Sequence, residues 1–172
     1  VLGPAAAAHD LRIVLFGGEE QGLHGSRQYV AALPAAERAR VDAVINMDMI
    51  ATLNTAAPTV LLEGAAVSQA LMDELAAAAR DHTALQVQTS LNPFNSDHVP
   101  FIDAGLPALL TIEGADSANH DVHTAGDTLD KIHAGLARQI VQTNVAVVAR
   151  RVQAQAQTQA ATARPASSPV VA

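Results

Sequence analysis

Arg12 to Ser26 reads RIVLFGGEEQGLHGS. The apolar run that opens it, LRIVLF over Leu11–Phe16, predicts a strand covered on both faces. The run ends on two glycines and then on two adjacent carboxylates, Glu19 and Glu20. Like charges at neighbouring positions repel, and either would be costly to desolvate alone. Such a pair is either solvated or shared with a cation. Glycines 17, 18 and 22 allow sharp turns, so successive carboxylates can point in different directions. A glycine-rich loop can also cradle phosphate, but that use needs backbone N–H groups and a lysine. Two carboxylates repel phosphate, so this loop binds a cation or nothing.

Outward from that stretch, strands and helices alternate. GSRQYVAAL predicts a helix with Ser26 as N-cap and Pro34 as stop, and PAAERAR a short helical turn with Pro34 at its first position. VDAVINMDMI predicts a second buried strand ending in Asp48, and TVLLEG a further one. VSQALMDELAAAARD is helical, with Val67, Leu71 and Leu75 spaced four apart. ALQVQT alternates as an edge strand does, and LPALLTIEG reads as a central one. A last helix carries an apolar stripe of Leu136, Ile140, Val141, Val145 and Val148. This order predicts a three-layer α/β/α domain with a mixed, mostly parallel sheet over residues 1–152. From about Gln153 the composition shifts to Ala, Gln, Thr, Ser and Pro, which predicts a disordered tail over 153–172.

The 172 residues suffice for one domain with a real core. A net charge of −7, from 10 basic against 17 acidic residues, argues against nucleic acid as a partner. Cysteine is absent, which excludes disulfides and thiolate metal sites. No run approaches the ~18 consecutive apolar residues of a membrane span. The start, VLGPAAAAHD, has neither an initiator Met nor a signal-like pattern and reads as the interior of a longer sequence.

Open α/β sheets bind ligands beyond the carboxyl ends of their strands, and the polar residues of this chain fall there. Glu19 and Glu20 follow the first predicted strand and Asp48 closes the second. Asp97 and His98 lie in NSDHVPF, and His120 and His123 lie in NHDVHTAGDT beyond the central strand. Oxygen and imidazole donors on one edge suit zinc when no cysteine is available. Each piece also has an ordinary reading. The Glu pair can be a solvated surface feature, Asp48 the start of a turn, Asp97 a cap for a helix beginning at His98, and His123 a surface histidine. His9, His24, His82 and His133 have no partner in the pattern.

Taken in order, FGGEEQGLHGSRQYV, NMDMI, NSDHVPFIDAGLPALLTIEG and HTAGDT resemble the co-catalytic zinc aminopeptidases. These are leucyl-aminopeptidase-type exopeptidases whose relatives include glutamate carboxypeptidase II and glutaminyl cyclase. The likeness runs from about Arg12 to Ile132. It implies a peptidase that cleaves at peptide or protein N-termini with two zinc ions, in an enzyme usually exported to the periplasm or secreted. By the same resemblance Glu19 is the general base, Glu20 and His123 hold one zinc, and Asp48 holds the other. Asp97 orients the site, with His98 and His120 as supporting candidates. The family also uses a His-x-Asp motif and a bridging Asp upstream of this stretch. His9-Asp10 abuts the predicted strand and does not match that motif, so the chain is expected to be the C-terminal part of a catalytic domain and inactive alone. Glutaminyl cyclase shares the ligand pattern but encloses its substrate with tryptophan, which this chain lacks. A non-catalytic relative that keeps the fold as an interaction domain is the other alternative.

Overall fold

A computed structural model of the chain describes residues 9–162. Its centre is β4 (Ala108–Glu113), buried at every position. The strand is short, and four of its six residues are apolar, as expected for one sandwiched between helical layers. β1 (Val44–Met47) pairs parallel to one side of it, with Asn46 opposite Leu110. β2 (Thr59–Gly64) pairs antiparallel on the other side, with Glu63 opposite Leu110. β3 (Gln86–Ser90) joins β2 in parallel at the edge, giving the order β1-β4-β2-β3. The sheet is mixed and mostly parallel, as the sequence predicts.

Helices cover both faces. α3 (Gln69–His82) and α5 (Ala134–Thr162) pack on one, in a core that includes Val60, Leu62, Leu71, Leu75, Leu109, Leu136 and Ile140. α1 (His24–Ala32) and α4 (Val99–Asp103) cover the other, where Val30, Phe101, Leu106 and Ala108 form a smaller core. Phe16, Tyr29 and Phe101 pack ring against ring there, with centroids 5.7–6.1 Å apart. α2 (Ala35–Arg38) is a single turn. No helix among the described residues is long and apolar enough to cross a membrane.

Several local expectations are corrected. Leu11–Phe16 forms no strand: Ile13 is 85 % and Leu15 94 % exposed. A strand needs a ladder partner, and instead of a ladder with β1 the segment shares with it a cleft of about 530 Å³, lined by Leu11 and Val14 together with Val44 and Ile45. Ser26 does not cap α1. Leu23 does, in a left-handed conformation (φ 60°), while the buried Ser26 hydroxyl donates to the Leu23 carbonyl at 3.2 Å. Pro34 stands at the N-cap of α2, one position earlier than expected. Val67 lies in the 3-10 turn Ala66–Ser68 before α3 and is exposed. On α5, Val141 and Val145 face solvent while Val147 is buried beside Ile140. The helix runs into the Ala/Gln-rich segment as far as Thr162; residues 163–172 of the expected tail lie outside the described residues.

Candidate functional site

The carboxylates sit on a loop held tightly by its own backbone. The Glu19 carbonyl accepts the N–H groups of Gly22 and Leu23, and the Gly17 and Gly18 carbonyls accept those of Gly25 and His24. Gly22 has φ +115°, which L side chains rarely adopt, and a Cβ at Gly25 would stand 2.6 Å from the Gly17 carbonyl oxygen. The glycines therefore let residues 17–22 fold back onto the start of α1, with Glu19 and Glu20 at the bend.

Asp48 follows β1, and the strands β1 and β4 run parallel, so the loops after both leave at one edge of the sheet. The loop after β4 carries His123 to Glu20: Nε2 stands 3.3 Å from Oε2, both side chains more than half exposed. Glu19 is half-buried. Burial pushes its pKa up, and the negative charges of Asp48, Glu20 and Asp97 push it further, while His123 opposes them. Four of the other residues singled out by sequence thus lie within electrostatic reach of the Glu19 carboxyl group. His120 is exposed and makes no ion pair among the described residues.

Asp97 and His98 lie beneath this surface. Asp97 does not cap a helix: His98 occupies the N-cap position of α4, without a side-chain cap bond. Asp97 Oδ1 and both ring nitrogens of His98 are buried with no hydrogen-bond partner among the described residues. His98 Nε2 is 3.8 Å from Glu63 Oε1, whose pKa burial also raises. Burial pushes the imidazole pKa down to about 4, against the attraction of Asp48. The unfolded chain, with His98 at its ordinary 6.5, binds the proton more readily than the folded one. The His98 contribution is therefore complete above pH 6.5 and lost as pH falls toward 4, by up to roughly 3 kcal/mol. Chemical denaturation of the intact protein and of His98→Asn at pH 7.5 and pH 5 checks this. The wild type is expected to lose more stability between the two values than the variant does.

Four residues that sequence reasoning did not single out complete the surroundings. Ser96 donates its hydroxyl to Asp48 Oδ2 at 2.8 Å and accepts from Asn46 Nδ2 at 2.9 Å. Glu113 is fully buried and ties two loops together. Its Oε2 accepts the Thr52 N–H at 2.6 Å, and its Oε1 accepts from Asn54 Nδ2 at 3.1 Å and Asn119 Nδ2 at 3.2 Å. Glu63 accepts the Phe94 N–H at 2.7 Å. A carboxylate inside an apolar strand, as in TVLLEG and LLTIE, is the signal that was available, because such a group must find donors.

Backbone strain gathers at the same place. Met49 (φ 45°), Asn95 (φ 34°) and His123 (φ 62°) are left-handed without being glycine. Such conformations cost on the order of 1–3 kcal/mol each and persist where the surroundings over-determine them. The donor set fits a cation such as zinc in kind, being carboxylate oxygen and imidazole nitrogen around an unpartnered buried oxygen. In number it falls short, since no group of three or more His, Cys, Asp or Glu among the described residues stands close enough to hold a metal ion.

A mixed three-layer α/β domain with carboxylates and a histidine gathered at one sheet edge is the class that fold and site define. The chain belongs to Peptidase family M28, whose model matches residues 3–148. It is 36 % identical over 109 residues to leupeptin-inactivating enzyme 1 of Streptomyces exfoliatus, covering 62 % of this chain and 23 % of that protein. An aminopeptidase structure from Aneurinibacillus sp. strain AM-1 superposes with a TM-score of 0.60 at 32 % identity, covering 76 % of this chain and 31 % of that one. BSAP, a zinc aminopeptidase from Bacillus subtilis, gives a TM-score of 0.63 at 27 % identity, with 76 % and 34 % covered. The chain thus spans about a quarter to a third of the length of these relatives.

Proposed function

We propose that this chain carries part of the catalytic centre of a zinc-dependent aminopeptidase, which hydrolyses the peptide bond next to a free N-terminus. The observation that carries the reading is the convergence of Glu19, Glu20, Asp48, Asp97 and His123 at one edge of the sheet. Family membership supports a peptide substrate, and the likeness to a structure described as a zinc aminopeptidase supports the metal.

Glu20 and His123 hold one zinc in this reading, and Asp48 holds the other. The remaining donors are required from outside the described residues. Zinc, when bound, supplies a water acidic enough to lose a proton near pH 7. Glu19 would serve as general base and then general acid, taking a proton from the attacking water and giving one to the departing amine. Asp97, buried and within electrostatic reach of Glu19, is the orienting residue in this reading.

The intact protein is expected to contain about two zinc ions and to lose release of N-terminal residues from an aminoacyl-nitroanilide when a chelator strips them. Metal analysis alongside the chelation assay checks this. A zinc-free protein whose activity survives the chelator would sink the reading.

A further inference from the structure

We propose that Glu113 is a positioning residue that couples the loop after β1 to the loop after β4, so that both sides of the candidate site open and close as one unit. The inference goes beyond the peptidase reading and does not depend on it.

Glu113 is the last residue of β4, and it reaches in two directions. Toward the loop after β1, its N–H donates to the carbonyl of Met49, the neighbour of Asp48, at 3.0 Å. Its Oε2 accepts the Thr52 N–H at 2.6 Å, and its Oε1 accepts from Asn54 Nδ2 at 3.1 Å. Toward the loop after β4, Oε1 also accepts from Asn119 Nδ2 at 3.2 Å. The same Asn119 nitrogen donates to the Thr52 hydroxyl at 3.2 Å, which closes a triangle between the two loops. Asn119 Oδ1 accepts the Asp121 N–H at 3.2 Å, and the Asp121 carbonyl accepts the Thr124 N–H at 3.0 Å. The turn that carries His123 thus hangs from this triangle. A backbone bond from the His133 N–H to the Ala51 carbonyl, at 2.7 Å, ties down the far end of the same loop.

An ionised carboxylate is what this position needs. Every partner of its two oxygens donates, and a carboxylate accepts without offering a proton in return. Glu113 is 1 % exposed, so bulk water does not replace a lost partner. Burial pushes its pKa up, and the donors from Thr52, Asn119, Asn54 and Ala51 pull it down. Glutamine fills the same space but cannot meet the same donors. The Thr52 N–H is fixed in the backbone, so a glutamine here must turn its oxygen to it and its NH2 toward Asn54 and Asn119. Asn119 cannot turn its amide over in reply without giving up the Asp121 N–H.

Hydrogen exchange of the intact protein, read by mass spectrometry on peptides from both loops and from α3 and α5, tests the coupling. In Glu113→Gln, peptides over 49–54 and 115–124 are expected to exchange roughly 10–100-fold faster than in wild type, by similar factors. Peptides from α3 and α5 should keep the wild-type rate, which a general loss of stability would not allow. Asn119→Asp alone sets two carboxylates against each other and should loosen both loops as well. In the double variant Glu113→Gln/Asn119→Asp the glutamine NH2 has an acceptor again, and both loops should return toward wild-type exchange. Should Glu113→Gln fail to fold, Asn119→Ala, at a half-buried position, is expected to loosen both loops in the same way. Wild-type exchange in the folded single variants overturns the proposal. So does loosening of one loop alone, or a double variant no better protected than the single ones. None of these readouts needs catalysis, so a protein without activity overturns the proposed function alone.

Discussion

Glu19→Gln in the intact protein is expected to lower kcat by roughly 10²–10⁴ while zinc content and KM stay close to wild type. Gln has nearly the shape of Glu and keeps an oxygen to accept hydrogen bonds, but it cannot take a proton at neutral pH. The substitution also removes one negative charge from a place where Asp48, Glu20 and Asp97 already crowd it, so the fold has no reason to suffer. Glu20→Gln is the contrasting case. Glu20 faces His123 at 3.3 Å, and losing its charge should show first as lost zinc and only then as lost activity. Zinc content and steady-state kinetics measured together on both variants separate the two roles. The opposite pattern would exchange base and ligand.

Leu75→Ala is expected to destabilise the intact protein by about 2–5 kcal/mol, read as a lower urea midpoint at unchanged slope. Leu75 lies on the buried face of α3, fully enclosed in the core shared by the sheet, α3 and α5. Truncation removes its transfer free energy and leaves a hole that the surroundings fill poorly. Leu62 and Leu109 in that core belong to paired strands, and Leu136 and Ile140 to the opposing helix. Val67→Ala, on the exposed turn before α3, should stay within about 0.5 kcal/mol.

What sequence could show follows from how local each determinant is. The fully buried β4 and the amphipathic α3 read directly, because an apolar run or a spacing of four survives without knowledge of the partner. Leu11–Phe16 has the composition of a buried strand, yet composition cannot supply the neighbour whose backbone completes a ladder, and here a cleft stands in its place. Ser26 looked like a cap because serine at a helix start usually is one; the glycine-driven fold of 17–22 moved the start to His24 and buried the hydroxyl. In the site, the charged residues were legible from type and order. Asn46 and Ser96 were not, since a neutral hydrogen-bonding residue carries no signal until its partner is placed. Nor did sequence foretell that His98 would lie with both nitrogens unpartnered.

The rings of Phe16, Tyr29 and Phe101 join the start of the carboxylate loop to α1 and α4, in the smaller core on the face of the sheet opposite α3 and α5. Glu19 and Glu20 therefore draw their anchorage from a small aromatic cluster, whereas Asp48 leans on a strand of the central sheet. The two halves of the site belong to units of different cohesion. Local opening starts where few apolar side chains must part, so a breathing motion that loosens the three rings separates Glu19 from Asp48 while β4, α3 and α5 stay closed. The arrangement around Glu19 can then be lost on warming before the global unfolding transition begins.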